Sequence, residues 1–211
     1  MKRTILLLMF CLTMGSAFSQ SANFGLRVGG ALNSWTGEDG SMRMNESGVS
    51  PKWGPTAGFY INSTPSDYFW IKTEFMYVGR GLTTVSGGRT LQETDHYIDI
   101  YPITPAFHFY GFQLFAGPAI SVFAAQSHQY YDPIEDRIRV DTDTDGRNIF
   151  QFGLVAGIEY EAPFGLNVGV RYVRHFSSIF EPTEHLNTRT RVESYNSTLL
   201  FTLGFTFGKD D

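Results

Sequence analysis

The sequence predicts an all-β fold: an eight-stranded antiparallel up-and-down transmembrane β-barrel with four long extracellular loops and short periplasmic turns. Three observations predict it. Eight segments alternate bulky apolar residues with small or polar ones at period two. Their connections alternate long and short. Beyond the first twenty residues no apolar run reaches the roughly 18 residues that a membrane helix needs, whereas a membrane strand is apolar only at alternate positions. The 19 Phe, 11 Tyr and 22 Gly, with only 18% charged residues, suit many strands and not helices.

The first nineteen residues read as an export signal. Lys2 and Arg3 supply the basic start, Ile5 to Met14 is almost wholly apolar, and Ala17-Phe18-Ser19 ends the segment on small residues, which places the cut before Gln20. The division is therefore a signal peptide over 1–19 and a barrel domain over 20–211. The apolar run is shorter than the roughly 20 residues of a spanning helix. Lipoprotein processing at Cys11 is rejected, because Met9 and Phe10 are too large for a lipobox. Cys11 is the only cysteine, so the mature chain uses neither disulfides nor cysteine-ligated metal. Loss of Lys2 and Arg3 takes the formal charge from -5 to -7, which argues against nucleic acid as a partner.

The eight segments run near 23–33, 53–62, 68–79, 96–109, 112–123, 149–161, 166–177 and 195–207. Each is close to the roughly 9–11 residues of a tilted membrane strand. Long connections fall near 34–52, 80–95, 124–148 and 178–194; short ones fall at 63–67, 110–111 and 162–165, rich in Pro, Gly and Asp. Tight turns belong in the periplasm and long loops outside. An even strand count puts both chain ends in the periplasm. Nothing marks a second domain or a solenoid repeat.

Sidedness separates a membrane barrel from a soluble one. In the last segment Tyr195, Ser197, Leu199, Phe201, Leu203, Phe205 and Phe207 oppose Asn196, Thr198, Leu200, Thr202, Gly204 and Thr206. Phe150, Phe152, Leu154 and Ile158 likewise oppose Gln151, Gly153, Gly157 and Glu159; Val168 and Val170 oppose Gly169 and Arg171; Leu26 and Val28 oppose Arg27 and Gly29. One face is greasy; the other mixes tiny residues with isolated charges. An eight-stranded barrel has a narrow, filled interior. Arg27, Lys72, Glu74, Glu159 and Arg171 all fall on the small-residue face and are expected to form a buried ion-pair network, since a lone charge there costs several kcal/mol. Solvation near the mouths is the competing expectation for some of them. A soluble lipocalin-type barrel would reverse the faces, and this outer face would aggregate in water. Interfacial girdles are expected from Trp35, Trp53, Tyr77 and Tyr195 on the loop side and from Tyr68, Phe69, Tyr160 and Phe207 on the turn side. The fourth strand breaks the pattern: unbroken alternation from Asp99 and Tyr101 sends His108 to lipid and Phe107 inward. A bulge between Pro102 and Pro105 repairs this.

The stretches FGLRVGGALN (24–33), GPTAGFYI (54–61), HYIDIYPITPAFHF (96–109), QLFAGPAISVF (113–123), FQFGLVAGIEYE (150–161), LNVGVRY (166–172) and LLFTLGFTF (199–207) together resemble the PorT-like outer-membrane barrels of Bacteroidetes, often labelled "porin family". The resemblance spans nearly the whole mature chain and implies an outer-membrane eight-stranded barrel, with no specific activity. The last strand is similar to the terminal signal read by barrel-assembly machinery, except that Gly208-Lys209-Asp210-Asp211 follows its last aromatic.

Candidate chemistry is sparse. DTDTDG at 141–146 has the D-x-D-x-D-G spacing of a calcium loop, so Asp141, Asp143 and Asp145 are weak metal candidates. Position twelve of that frame is Phe152, not glutamate, so a solvated acidic loop is preferred. Asp132, Glu135 and Asp136 extend the same acidic stretch. His175-Phe176-Ser177 resembles the His-x-Ser of lipid A deacylase barrels, but alternation places His175 and Ser177 on the lumen face, and Glu181 and Glu184 are partners by proximity only. His96 and His108 share no metal-ligand spacing. A narrow channel is disfavoured by the filled lumen. The resulting expectation is a non-enzymatic barrel without cofactor, in contact with outer-membrane lipid and lipopolysaccharide. It would serve envelope structure, surface contact or a complex with other envelope proteins.

Overall fold

The computed structural model describes residues 22–64, 66–86, 88–132, 137–143, 146–181, 183–185, 188–190 and 193–208. The expected leader over 1–19, with Cys11, lies outside them, as do Glu135, Asp136 and Asp145. In chain order the elements are β1 (Ala22–Thr36), α1 (Glu38–Met44), β2 (Val49–Ser63), β3 (Phe69–Ser86), β4 (Arg89–Phe109), β5 (Phe112–Asp132), β6 (Arg137–Asp143), β7 (Phe150–Glu161), β8 (Leu166–His175), β9 (Thr183–His185), β10 (Thr188–Thr190) and β11 (Tyr195–Phe207).

Eight of these strands close a ring in the order β1, β2, β3, β4, β5, β7, β8, β11, each antiparallel to its neighbours. The first and last strands seal it over thirteen facing pairs, from Phe24 opposite Phe207 to Thr36 opposite Tyr195. Closure leaves the eight-stranded ring without a free sheet edge, which hydrocarbon demands. The short turns are chemically forced. Tyr110 and Gly111 both take positive φ, 49° and 83°, the signature of a two-residue type I′ hairpin.

The faces divide as the alternation requires. Phe201, Phe152 and Val168 are 41%, 57% and 54% exposed on the outside, while Thr202, Gln151, Asn167 and Arg171 are buried within. The bulge in β4 is present: Glu74 faces Tyr101 but Lys72 faces Thr104, so one extra residue sits between Tyr101 and Thr104. Phe107 accordingly points out and is exposed, and His108 turns in against Trp70, ring centroids 4.3 Å apart.

Two expectations are corrected. Segment 80–95 is not a loop: β3 and β4 run on as one hairpin, paired from Arg80–Asp95 to Ser86–Arg89. Much of 124–148 is likewise the β5–β6 hairpin. These ladders carry the sheet past the apolar belt. Trp35 is no girdle residue: it is 5% exposed and packs inward, edge-on to Phe180. It lies on the inward parity of β1, so the loop-side position that suggested an interface carries no weight. Trp53, Tyr68, Phe69, Tyr160 and Phe207 do face out.

The inner glycines set how much can fit. A Cβ on Gly25 would overlap the Tyr60 ring, and one on Gly169 would press on the Glu159 stem. We expect Gly25→Val to lower the urea unfolding midpoint in lipid vesicles by the equivalent of about 1–3 kcal/mol, the usual cost of overpacking. Leu203→Val, on the lipid face, should move the midpoint little. Equal effects of the two substitutions would contradict the assignment of faces.

Candidate functional site in the barrel axis and mouth

The middle of the axis is ionic. Arg27 sits on β1 opposite Gly204 and Gly58, and Arg171 on β8 opposite Gly157, so glycine neighbours leave room for long cations. Arg27 Nη1 lies 2.9 Å from Glu159 Oε2 and 3.4 Å from Glu74 Oε2. Lys72 Nζ lies 2.7 Å from Glu159 Oε1, and Arg171 Nη2 lies 3.3 Å from Glu159 Oε2. Arg171 also pairs with Glu74. The structure thus brings Arg27, Lys72, Glu74, Glu159 and Arg171 into one cluster, all at 1% exposure or less. The cluster continues towards the periplasm. Lys72 donates to Gln113 Oε1 at 2.9 Å, and Gln113 Nε2 donates to Glu161 Oε2 at 3.4 Å. Aromatic faces complete the cage: the Arg27 guanidinium lies 4.0 Å from the Tyr60 ring centre, and Arg171 lies 5.2 Å from that of Phe115.

A second cluster, built on Arg80 one residue beyond the segment read as 68–79, lies one layer nearer the outside. Arg80 Nη2 donates to Asp99 Oδ2 at 2.5 Å, Tyr101 donates to the same oxygen at 2.9 Å, and Ser121 donates to Asp99 Oδ1 at 2.6 Å. His175 Nε2 meets Ser121 Oγ at 2.7 Å, and Arg80 Nε donates to Thr198 Oγ1 at 3.0 Å. With its only proton given to Asp99, Ser121 accepts from His175. Ser121, His175 and Asp99 are wholly buried.

The mouth is closed by a folded cap. Arg147 pairs with Glu93 and lies 3.4 Å from Asp95, while its guanidinium packs 4.4 Å from Phe180 and 5.4 Å from Trp35. Asn148 ties down the carbonyls of Ser178 and Phe180 at 2.8 and 2.7 Å. Gly40 of α1 is buried, and its N–H donates to Glu193 O at 3.3 Å. Lys52 reaches Thr94 across the rim. Connections from three sides therefore meet over the axis.

The other sequence candidates stay apart. Ser177 accepts from the Phe152 N–H at 3.0 Å, while His175 turns to Ser121. His96 bonds Tyr77 at 2.7 Å on the outer face, and His108 sits at the periplasmic end on the Asp67 carbonyl at 3.1 Å. Asp141 and Asp143 belong to β6, opposite His128 and Gln126 on β5, and so lie in a paired strand and not in a calcium-loop turn. Asp145 and the Glu184 side chain lie outside the described residues. Among the described residues no three His, Cys, Asp or Glu side chains gather in a way that could hold a metal ion.

A family model described as the outer membrane protein beta-barrel domain matches residues 18–181. The chain belongs to that outer-membrane β-barrel family. The protein is accordingly a bacterial outer-membrane barrel, and the greasy outer face is its lipid contact. No curated protein matches the chain in sequence. Among solved structures it is similar to Ail, the attachment invasion locus protein of Yersinia pestis, solved with the heparin analogue sucrose octasulfate. That match has 10% identity and a TM-score of 0.50, and covers 89% of this chain and 100% of Ail. Neisserial surface protein A aligns at 10% identity and a TM-score of 0.48, over 89% of this chain and 100% of that one. OprG of Pseudomonas aeruginosa aligns at 10% identity and 0.43, over 89% and 96%. At such identity the likeness to Ail shows the fold alone.

In this family member Arg171→Met leaves Glu74 with Arg27 as its remaining ion-pair contact among the described residues, at 3.4 Å. We expect a stability loss of about 3–5 kcal/mol, the cost of breaking a buried pair from one side, measured by urea unfolding in lipid vesicles. Arg174→Met at the half-exposed rim should change little. An unshifted midpoint for Arg171→Met would contradict the ionic axis.

Proposed function

We propose that this barrel is a non-enzymatic structural and surface-contact protein of the outer membrane. The observation that carries the reading is the sealed interior. Side chains fill the axis from Tyr60 to Arg80, and Arg147, Trp35 and Phe180 stop the mouth. A sealed barrel offers two surfaces for recognition, the lipid belt and the extracellular connections. Within the family, the ordered set of strand motifs supports a PorT-like placement. Lipid and lipopolysaccharide are the contacts of the belt, and other envelope proteins are candidate partners for a complex. An export signal cut before Gln20 would deliver the chain to the periplasm.

The sign of the outer surface bears on the ligand. Taken together, the segments 34–52, 80–95, 124–148 and 178–194 hold more acidic than basic side chains. A sulfated sugar such as the one bound by Ail is therefore disfavoured here, and cationic or charge-alternating partners are favoured.

Three assays on the purified barrel and on cells displaying it test this. Planar bilayers should show no unit conductance. Lipid A mass spectra should be the same with and without the protein, and with His175→Ala. Replacing 126–143 by a short turn should preserve the heat-modifiable gel shift yet reduce adherence of displaying cells. Discrete conductance steps, or a lipid A species lost with His175→Ala, would overturn the reading.

A further inference from the structure

The outer end of the barrel carries a strand with one partner. Above the belt, β5 continues to Asp132 and β6 returns along it, from Arg137 opposite Asp132 to Asp143 opposite Gln126. Among the described residues β6 pairs with β5 alone and forms the end of the sheet. Its other edge is a row of backbone donors and acceptors, the template by which strands recruit further strands.

The sequence of that edge is Arg137-Ile138-Arg139-Val140-Asp141-Thr142-Asp143. Read antiparallel against itself about Val140, it is charge-complementary. Arg137 falls opposite Asp143 of a second copy, Arg139 opposite Asp141, and Val140 opposite Val140. Each ion pair recurs through the twofold, and opposite charges at facing positions favour an antiparallel pair. A foreign strand lacking this order meets mismatched charges. The same alternation that discourages general edge pairing thus admits one partner. It also gives Asp141 and Asp143 a role that does not involve a cation.

Orientation then decides where the second copy stands. Barrel strands are inclined to the membrane normal. Two barrels in one membrane are related by an axis along that normal, so both copies of an inclined strand descend together and cannot run antiparallel. Two barrels in facing membranes are related by a twofold lying between the membranes, and there one strand descends as its mate ascends. We infer that β6 is a self-recognition edge that pairs with β6 of a second copy in an apposed membrane, joining two surfaces that bear this protein. The inference rests on the surface-contact reading above and names its partner. A seven-residue edge makes a small contact, below the size of stable interfaces. Many barrels on each surface convert weak pairs into firm adhesion.

The test uses full-length barrels in phosphatidylcholine vesicles, with clustering read by light scattering. Wild-type vesicles should cluster. Arg137→Asp with Arg139→Asp makes the charged positions of the edge all acidic, and Asp141→Arg with Asp143→Arg makes them all basic; each population alone should stay dispersed. Mixed, the two should cluster again, because every facing pair is then opposite in sign. Rescue on mixing separates pairing from misfolding, and heat-modifiable gel shifts confirm the fold of each variant. Val140→Cys, on the twofold, should yield an oxidised dimer in clustered vesicles, since directly facing Cα atoms of antiparallel strands lie within disulfide range. Dispersed wild-type vesicles, or mixed variants that fail to cluster, would overturn the inference. Loss of adherence on deleting 126–143 would still stand in that event, so failure here is distinguishable from failure of the surface-contact reading.

Discussion

Charge balance inside a narrow tube is the constraint from which the rest of this structure follows. Hydrocarbon surrounds the barrel and leaves no water at its wall, so every charge in the axis must find its counter-charge there. Glu159 meets this demand by accepting Arg27, Lys72 and Arg171 together. Long cations need space, and glycines at 58, 157 and 204 face them from neighbouring strands. Because the interior takes the polar groups, the outer face is free to be uniformly greasy.

Much of this was legible in the sequence because a strand has one simple period. Parity alone places Phe201 outside and Thr202 inside, and it set Arg27, Lys72, Glu74, Glu159 and Arg171 on one face. What parity does not reveal is where a ladder ends. Arg80 and Asp95 keep the inward phase of β3 and β4, yet Gly79, Gly81 and the run Val85-Ser86-Gly87-Gly88 look like a loop, so the Arg80–Asp99 cluster was hidden. Nor does it reveal which loop residue returns to the axis. Arg147 reaches Trp35 and Phe180 from a connection distant in sequence, and no local pattern marks such a contact. The irregularity in β4 was legible for a definite reason. Pro102 and Pro105 cannot both donate to an unbroken ladder, and the greasy run beyond them changes phase.

Filling and capping the tube also has a consequence for how function is distributed. The buried Ser121–His175 contact looks chemical when the two side chains are considered alone, but Ser121 is also held by Asp99 and Arg80, and all four side chains are buried in the wall. Such groups hold strands in register. On the proposed reading, recognition falls to what projects beyond the belt, above all the sheet that β3 to β6 extend outward. Family membership establishes the barrel and its membrane; the projecting edge is where this chain has its own character.

The most direct measurement of the central claim is a single-nitroxide scan along β11 in lipid vesicles, from Asn196 to Phe207, comparing collision with oxygen and with a water-soluble nickel complex. Odd positions such as Phe201, Leu203 and Phe205 should be open to oxygen, and even positions such as Thr202 and Thr206 closed to both reagents. Even positions open to nickel would mean a water-filled lumen, and odd positions closed to oxygen would mean an apolar core; either contradicts an ionic axis inside a lipid-facing wall.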